Sequence, residues 1–195
     1  MKVKVLSERN MGFWVREFLM REGDTIVDKD QEFTIVCYYG KILTQKEIDE
    51  APIINFHPGL LPMNRGMHPQ IWPLFDGSPA GVTLHWLTKE VDCGPIIAQK
   101  RIKVEPTDTV TEMDEKTQEA IFELFKEWWP MIKSGKAPHK EQQGPSSRHY
   151  KRDIESLHEF DKSMIGRIRA CTYNDRSYAY FRDHGKKIYF GIKFY

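Results

Sequence analysis

The pattern of apolar and polar positions predicts alternating strands and helices in the N-terminal part of the chain. Residues 2–6 alternate lysine with valine or leucine, as a half-buried strand does, and 11–21 carries apolar side chains at helical spacing. The nearly continuous apolar run 33–39 is typical of a strand covered on both faces. Three further elements are predicted: a short strand at 25–27, a short helix at 44–50 with Thr44 as its N-cap, and a strand at 53–57.

The rest of the chain continues this alternation and then becomes more polar. The longest helix is predicted at 107–134, with Asp108 or Thr109 as its cap and Pro130 as the point where it kinks or ends. The other predicted segments are a short helix at 70–75, strands at 82–87 and 95–104, a polar linker at 135–148, a short helix at 161–170, and a hairpin that turns at 183–186. On one face of the hairpin's second strand lie Ile188, Phe190, Ile192 and Phe194.

These elements predict an α/β fold, with an abbreviated Rossmann-like domain and a mixed sheet, followed by a small C-terminal helix and β-hairpin. Only about five residues separate Val27 from Phe33, whereas a parallel crossover needs roughly a dozen. We therefore expect these two segments to form an antiparallel pair, or one of them to lie outside the sheet. No G-x-G-x-x-G fingerprint occurs, so we predict no dinucleotide site.

Composition and charge exclude several classes of function. The formal net charge of +1 over 195 residues predicts no nucleic-acid partner. No apolar run approaches the length of a membrane span, and we see no signal-peptide core at the N-terminus, so we expect no membrane association. Cys37, Cys93 and Cys171 are odd in number and form no C-x-x-C pattern, which indicates a reducing, cytoplasmic location. Neither they nor the scattered histidines have metal-ligand spacing, so we predict no metal site.

The stretch 53–62, I-I-N-F-H-P-G-L-L-P, carries the strongest chemical signal. Asn55 and His57 are two residues apart on the predicted strand, so both side chains point to the same face. Pro58 ends the strand and Gly59 permits a sharp turn. Open α/β sheets bind ligands at the carboxyl ends of their strands, so this pair is a candidate site. The alternative is that the two side chains cap a turn.

Asp92 adds a carboxylate, since it lies in the loop after the next predicted sheet strand. If the two strands are neighbours, Asp92 reaches the same edge as Asn55 and His57. An amide that donates to an oxyanion, an imidazole that moves a proton and a carboxylate that orients the imidazole suit acyl transfer between two bound molecules. Cys93 paired with His57 is a rival nucleophile, but nothing in its surroundings activates the thiol.

Several motifs in order resemble a known family. They are N-F-H-P-G-L-L-P, N-R-G, G-V-T-L-H and E-V-D-C-G-P-I-I-A-Q-K, and they resemble the formyltransferases that use 10-formyltetrahydrofolate. The resemblance runs from about Phe33 to Trp129. It implies that Asn55, His57 and Asp92 are the catalytic trio. It also implies that a substrate amine attacks the formyl carbon, that Asn55 and His57 stabilise the intermediate, and that Asp92 assists proton transfer.

The resemblance further implies that two loops bind the folate, largely through their backbone. The residues that correspond to these loops are Gly40, Lys41, Ile42 and Leu43, together with Lys89, Glu90, Val91 and Asp92. The sequence itself shows only that both stretches are loops beside the site. For Lys41 and Lys89 the alternative is an ordinary solvated charge.

Within the family, the chain is most similar to the nucleotide-sugar N-formyltransferases. The tail segments R-I-R-A-C-T and G-K-K-I-Y-F, and the stretch N-R-G-M-H-P-Q-I-W-P, resemble that branch. The implied acceptor is the 3-amino or 4-amino group of a deoxysugar on a dTDP or similar carrier. The resemblance divides the chain into a catalytic domain over 1–149 and a helix-and-hairpin extension over 150–195. In that branch the hairpin commonly builds a homodimer, which we expect here.

Two departures from the family pattern affect these expectations. Cys93 stands where the family motif D-T-G has threonine, which removes a hydroxyl but keeps the carboxylate of Asp92. The N-terminal region is also shorter than in the family, where it supplies part of the sheet and contacts to the nucleotide. Arg9 and Asn10 are candidates to face an anion there, or they form an exposed turn. Arg65 is the better candidate for a substrate contact, or it pins a loop through a carboxylate.

Other functions remain open on the sequence alone. The same scaffold supports glycinamide ribonucleotide formylation or hydrolysis of formyltetrahydrofolate. A non-enzyme is the third alternative, in which the domain binds a folate or nucleotide without turnover.

Overall fold

The computed structural model describes residues 1–157, 162–173, 176–177, 179–183 and 185–189. The strands are β1 Lys2–Leu6, β2 Thr25–Ile26, β3 Phe33–Cys37, β4 Ile53–His57, β5 Arg65–Gly66, β6 Gly81–Trp86, β7 Ile96–Arg101, β8 Arg148–His149, β9 Thr172–Tyr173, β10 Arg176–Ser177, β11 Tyr180–Asp183 and β12 Lys186–Tyr189. The helices are α1 Met11–Arg21, α2 Gln45–Asp49, α3 Trp72–Asp76, α4 Val110–Lys133, α5 Lys151–Ser156 and α6 Lys162–Ala170. Among the described residues, no helix has both the length and the apolar composition of a membrane span.

Six strands form one mixed sheet in the order β2-β1-β3-β4-β6-β7. The first four in this order are parallel, and β6 is antiparallel to both β4 and β7. All five residues of β3 are buried, as its apolar run predicts for a strand covered on both faces. The predicted α/β class with a mixed sheet is therefore confirmed.

The expected relation between 25–27 and Phe33 is wrong. β2 and β3 both pair in parallel with β1, on its two sides, and neither is antiparallel to the other. Ile26 at the end of β2 and Phe33 at the start of β3 both pair with Val3. The connection between β2 and β3 therefore crosses only the N-terminal end of β1. It does not run back along the length of β1, so a few residues suffice. Within it, the amide of Glu32 donates to the carbonyl of Lys2 over 2.9 Å.

Aromatic packing on α4 determines which face of the sheet is free for chemistry. The ring centroid of Phe56 on β4 lies 5.1 Å from that of Phe125 on α4, and Phe33 lies 5.8 Å from Trp129 in the same way. Phe56 is 2% exposed and belongs to the main core. Because side chains alternate along a strand, the neighbours of Phe56, which are Asn55 and His57, point to the opposite face.

The helix caps follow the sequence closely. Thr44 caps α2, and Thr109 rather than Asp108 caps α4, each in a capping box with the glutamate three residues later. α4 does not end at Pro130 but continues to Lys133.

The predicted polar linker contains a segment that is bonded to the rest of its unit, and we call residues 138–149 the strap. Lys140 forms an antiparallel bridge with Ile96 at the start of β7. At the other end, β8 pairs in parallel with β5, through Arg148 with Arg65 and His149 with Gly66. The strap is polar because it crosses the surface. Its backbone pairs with Ile96, which follows Gly94 in the chain, and with β5, which follows the turn after His57.

The chain divides into two compact units, the first comprising Met1–Val104 and Thr109–His149, and the second Glu105–Asp108 and Tyr150–Tyr195. In the second unit, α6 and the β11–β12 hairpin confirm the predicted C-terminal helix and hairpin, and Asp183 pairs with Lys186 at the turn. Phe190, Ile192 and Phe194 lie outside the described residues. The division into a catalytic domain over 1–149 and an extension over 150–195 stays a prediction.

Asp24 offers a test of how α4 is fixed. Its buried carboxylate accepts a hydrogen bond from Nε1 of Trp129 over 2.9 Å and lies 2.7 Å from Nζ of Lys133. We expect Asp24→Ala to lower the free energy of unfolding by about 2 kcal/mol, because the indole N–H loses its acceptor. Urea unfolding measures this, with the exposed Asp28→Ala as the matched control. Equal stability of the two variants would contradict the role of Asp24.

Candidate active site

Asn55 and His57 occupy the face of β4 opposite α4, as the alternation of side chains predicts. His57 is 3% exposed, while Asn55 is half-buried. The turn that follows is held by Thr83 of β6, which pairs with His57. The Thr83 hydroxyl donates to the carbonyl of Gly59 over 2.7 Å and accepts from the amide of Leu61 over 3.1 Å. The neighbouring strand thus closes the turn directly after His57.

Gly59 is required where this turn passes the imidazole. A Cβ on Gly59 would lie 2.7 Å from Nε2 of His57 and 2.8 Å from Cβ of Pro69. Real Cβ atoms do not approach other atoms this closely, so any side chain here would displace the ring or the turn. The glycine in H-P-G therefore sets the position of His57.

Asp92 joins Asn55 and His57, but its route differs from the expected approach along a sheet edge. β6 is antiparallel to β4, so it ends at Trp86, beside Ile54 and away from His57. The following loop folds back over the face of the sheet, with Asp92 in the left-handed conformation at φ 56°. Its Oδ1 lies 3.4 Å from Nδ1 of His57 and 3.4 Å from Nδ2 of Asn55. Its Oδ2 accepts from the amide of Gly66 over 2.8 Å.

His85 is a site residue that the sequence analysis did not identify. It pairs directly with Asn55 across β4 and β6, so both side chains share one face. Its Nδ1 lies 2.9 Å from the carbonyl of Trp86 and therefore donates, which leaves Nε2 to accept from Nδ2 of Asn55 over 3.0 Å. His85 thus orients the Asn55 amide. The alternating stretch V-T-L-H-W-L was the available signal, but it shows the partner only once the register is known.

Asn64 is a second residue that the sequence analysis missed. Its backbone carbonyl accepts from Nε2 of His57 over 2.9 Å, so it fixes the imidazole from the side away from Asp92. Asn64 is fully buried and left-handed, at φ 58°. Its side-chain amide donates to Ser78, and its side-chain oxygen accepts from Ser147 and lies 3.1 Å from Nε2 of His149. Two strap residues therefore support the carbonyl that holds His57.

The electrostatics of the site favour an ionised Asp92. Burial raises the pKa of the Asp92 carboxyl, but the charge of the adjacent His57 ring and its hydrogen bond outweigh burial and hold that pKa well below its usual range. The amide of Gly66 supplies a further donor to the same carboxylate. The arrangement provides a fixed negative charge beside an imidazole and an amide.

Arg65 lies next to the site on β5 and contacts the strap. Its Nε and one terminal nitrogen donate to Oε1 of Gln142 over 3.2 and 2.6 Å. Arg65 therefore holds a neighbouring segment, through an amide and not through the carboxylate considered above. Its role as a substrate contact stays a prediction.

Arg9 and Asn10 are not part of the cluster around Asp92. They follow β1, which β3 separates from β4. One nitrogen of Arg9 lies 2.8 Å from both carboxylate oxygens of Asp114, and its guanidinium lies 5.2 Å from the ring centre of Tyr38. Asn10 is the N-cap residue of α1. The predicted anion contact at these residues stays a prediction.

The first of the two predicted folate loops lies beyond the end of β3. Gly40 to Leu43 follow β3, whose last residue pairs with Phe56, one position before His57. The amide of Gly40 donates to Oε2 of Glu8, Lys41 lies 6.0 Å from the ring centre of Tyr39, and Ile42 is 81% exposed. The first loop therefore follows the end of β3 that lies next to the His57 end of β4, and its contacts with folate stay a prediction.

The second loop contains Lys89, Glu90, Val91 and Asp92. Arg148 of the strap donates to the carbonyl of Val91 over 2.9 Å and lies 3.2 Å from Sγ of Cys93. Cys93 therefore faces the strap, while both nitrogens of His57 lie beside other acceptors. No group of three or more His, Cys, Asp or Glu suited to a metal ion occurs among the residues that the structure describes.

Sequence comparisons match this region to known proteins. A family model described as formyl transferase matches residues 14–127, which include Asn55, His57 and Asp92. Over 150 residues the chain is 32% identical to dTDP-4-amino-4,6-dideoxyglucose formyltransferases of Mycobacterium bovis and Mycobacterium tuberculosis. The match covers 73% of this chain and 64% of each relative, so the chain spans less than two thirds of their length.

Solved structures are also similar. The formyltransferase PseJ of Anoxybacillus kamchatkensis, in complex with UDP-4,6-dideoxy-4-formamido-L-AltNAc and tetrahydrofolate, is 29% identical with a TM-score of 0.74. That match covers 81% of this chain and 90% of PseJ. A 4-N formyltransferase from Francisella tularensis, 20% identical with a TM-score of 0.72, covers 98% of this chain and 97% of its own, and supports the fold alone.

The lowered pKa of Asp92 makes its contribution to stability depend on pH. A carboxyl whose folded pKa is depressed stabilises the fold above its unfolded value, and this contribution is lost as the pH falls toward the folded pKa. We expect Asp92→Asn to lower the free energy of unfolding by about 3 kcal/mol at pH 7, and by less as the pH falls below about 4. Urea titrations across this range measure the difference. A difference that stays constant with pH would show that the carboxylate charge is not what stabilises the site.

Proposed function

The chain belongs to the formyl transferase family, and on that premise we propose that it transfers a formyl group from 10-formyltetrahydrofolate to the amine of a nucleotide-linked amino-deoxysugar. The observation that carries the proposal is that Asn55 and His57 both lie beside the buried carboxylate of Asp92, inside the region that matches the family model. The cluster has the amide, imidazole and carboxylate that formyl transfer to an amine requires.

Each member of the cluster has a distinct role in this proposal. Asn55 donates from Nδ2 to the carbonyl oxygen that gains negative charge, and its long 3.4 Å contact with Asp92 leaves that hydrogen available. Nε2 of His57 already donates to the Asn64 carbonyl, so Nδ1 is the nitrogen that takes the proton from the attacking amine, and Asp92 beside Nδ1 stabilises the protonated ring. His85 keeps the Asn55 amide oriented toward the substrate through Nε2.

The two loops beside the site fit a folate in their chemistry. When bound, 10-formyltetrahydrofolate supplies the formyl group and accepts a proton at the nitrogen that releases it. Ile42 is 81% exposed and Val91 is 39% exposed, so both loops offer apolar side chains to a flat ring. The amide of Gly40 and the carbonyls of Val91 and Asp92 are already paired, so we propose that other peptide groups of the two loops bind the amide-like edge of a pterin.

The acceptor is proposed from the relatives and from the charges near the site. The two mycobacterial relatives are named for a 4-amino sugar, and PseJ was solved with a 4-formamido sugar, so we propose an amine at the 4-position. Arg65 is half-buried next to Gly66, which places a positive charge beside the cluster for an anionic carrier. Arg9 and Asn10 are proposed only as more distant contacts.

A product assay tests the proposed reaction. The protein is mixed with 10-formyltetrahydrofolate and a panel of dTDP- and UDP-linked 3-amino and 4-amino sugars, and mass spectrometry detects the gain of one formyl group. We expect product with a 4-amino sugar. Asn55→Ala should lower kcat by about 10²–10³-fold and His57→Ala by about 10²–10⁴-fold. The control is Asp28→Ala, an exposed residue between β2 and β3 and outside the site.

The same assay separates the alternatives. Folate consumed without an amine acceptor would indicate a hydrolase, and product only with glycinamide ribonucleotide would indicate the purine-type reaction. Stabilisation by folate without any product would indicate a binding domain. Normal rates in Asn55→Ala and His57→Ala would contradict the proposed mechanism.

We also propose that two copies of the chain associate through the β11–β12 hairpin to form a homodimer. A second proposal is that the protein acts in the cytoplasm. Tyr180 and Tyr189 pair across the hairpin and are 44% and 54% exposed, so they offer apolar area to a second copy. The three cysteines, at positions 37, 93 and 171, are all free thiols, which suits a reducing compartment.

Sedimentation velocity tests the dimer. We expect the wild type to sediment as a dimer and Tyr180→Arg to shift toward the monomer, because a charge replaces apolar area at the interface. The control is Tyr150→Arg, which changes a similarly exposed tyrosine outside the hairpin. A monomeric wild type would contradict the proposal.

A further inference from the structure

The strap is fixed at both ends by backbone hydrogen bonds. At its start, the amide of Ile96 donates to the carbonyl of Lys140 over 2.7 Å, and the amide of Lys140 donates back over 3.0 Å. At its end, the amide of Arg65 donates to the carbonyl of Ser147 over 3.0 Å. The residues between these anchors therefore have a defined position over the loop that contains Asp92.

Gln142 lies between the two anchors and uses both ends of its amide. Its Nε2 donates to the backbone carbonyls of Asp92 and Gly94, over 2.9 Å in each case. Its Oε1 accepts both hydrogen bonds from Arg65 described above. One side chain thus joins the turn that carries Asp92 to the strand that carries Arg65 and Gly66.

The turn at Asp92 needs such support for two reasons. Asp92 is left-handed at φ 56°, a conformation that is less favourable for a residue with a Cβ than for glycine, although aspartate tolerates it better than most residues do. At Gly94 the backbone passes so close to Trp86 that a Cβ would lie 1.8 Å from the Trp86 carbonyl oxygen. The amide of Gln142 supplies hydrogen bonds to the two carbonyls that flank Cys93.

We propose that Gln142 is a positioning residue for the reaction, which holds the Asp92 turn and Arg65 at a fixed separation. This inference rests on the proposed function and adds a residue to its site. Because one oxygen of Asp92 faces His57 and the other accepts from Gly66, a shift of the turn changes both contacts at once. The hydrogen bonds of Gln142 go to Arg65 and to the carbonyls of Asp92 and Gly94, and not to Asn55 or His57, so its effect passes through the Asp92 turn and Arg65.

Two substitutions test the role of Gln142 in turnover. Gln142→Glu keeps an oxygen for Arg65 but removes both donors to the turn, and Gln142→Met removes all these bonds. We expect kcat to fall about 10- to 100-fold in both, while the KM for the amino sugar changes less than about threefold in Gln142→Glu. Gln143→Glu and Gln143→Met are the matched controls, since Gln143 is exposed and adjacent. A kcat for Gln142→Glu within about threefold of its control would overturn the proposal.

Hydrogen exchange tests the holding role without any substrate. Peptides that cover 62–67 and 88–94 report the Gly66 amide and the Asp92 turn, and we expect both to exchange at least about tenfold faster in Gln142→Met than in Gln143→Met. Equal exchange would overturn the proposal, even if kcat fell. Should the wild type formylate no acceptor, the proposed function fails, and exchange alone decides whether Gln142 holds the turn.

Discussion

The site depends on one buried carboxylate, because such a group is stable only where hydrogen-bond donors surround it. The Asp92 side chain is 9% exposed, and its oxygens lie beside the side chains of Asn55 and His57 and the amide of Gly66. These partners come from β4 and from the last residue of β5, and the two strands do not pair with each other. The need to satisfy one charge therefore brings together segments that no sheet ladder connects. Loss of that charge is therefore expected to affect stability and, in the proposed function, turnover.

The direction of β6 determines the path by which the loop brings the Asp92 carboxylate to the site. Because β6 is antiparallel to β4, His85 lies opposite Asn55. For the same reason the Asp92 loop starts beside Ile54, at the end of β4 away from His57. The loop must then return across the face of the sheet, and the left-handed Asp92 and the closely packed Gly94 are the result. The conformation of the turn thus follows from the sheet topology. The same topology supplies the histidine that orients the Asn55 amide.

The sequence predicted those features that depend on local spacing. Alternation along β4 placed Asn55 and His57 on one face, Thr44 was identified as the cap of α2, and Thr109 was one of two candidate caps of α4. Features that depend on contacts remote in the chain were missed. The parallel pairing of β2 with β1 needed the register of both strands. Asn64 acts through a backbone carbonyl, which has no sequence signature, and Gln142 lies in a stretch whose polarity resembles any linker.

Cys93 replaces the threonine of the family motif at a turn that is hydrogen-bonded to the strap. The missing threonine hydroxyl falls at a position whose side chain faces Arg148, while the carbonyls on either side of it accept from Gln142. The turn is therefore supported from the strap and does not depend on a hydroxyl of its own. Because Val91 is bound by Arg148 and Asp92 by Gln142, the loop proposed to hold the folate and the carboxylate proposed to assist proton transfer share one support. In the proposed function, donor binding and the orientation of the imidazole therefore both depend on the strap.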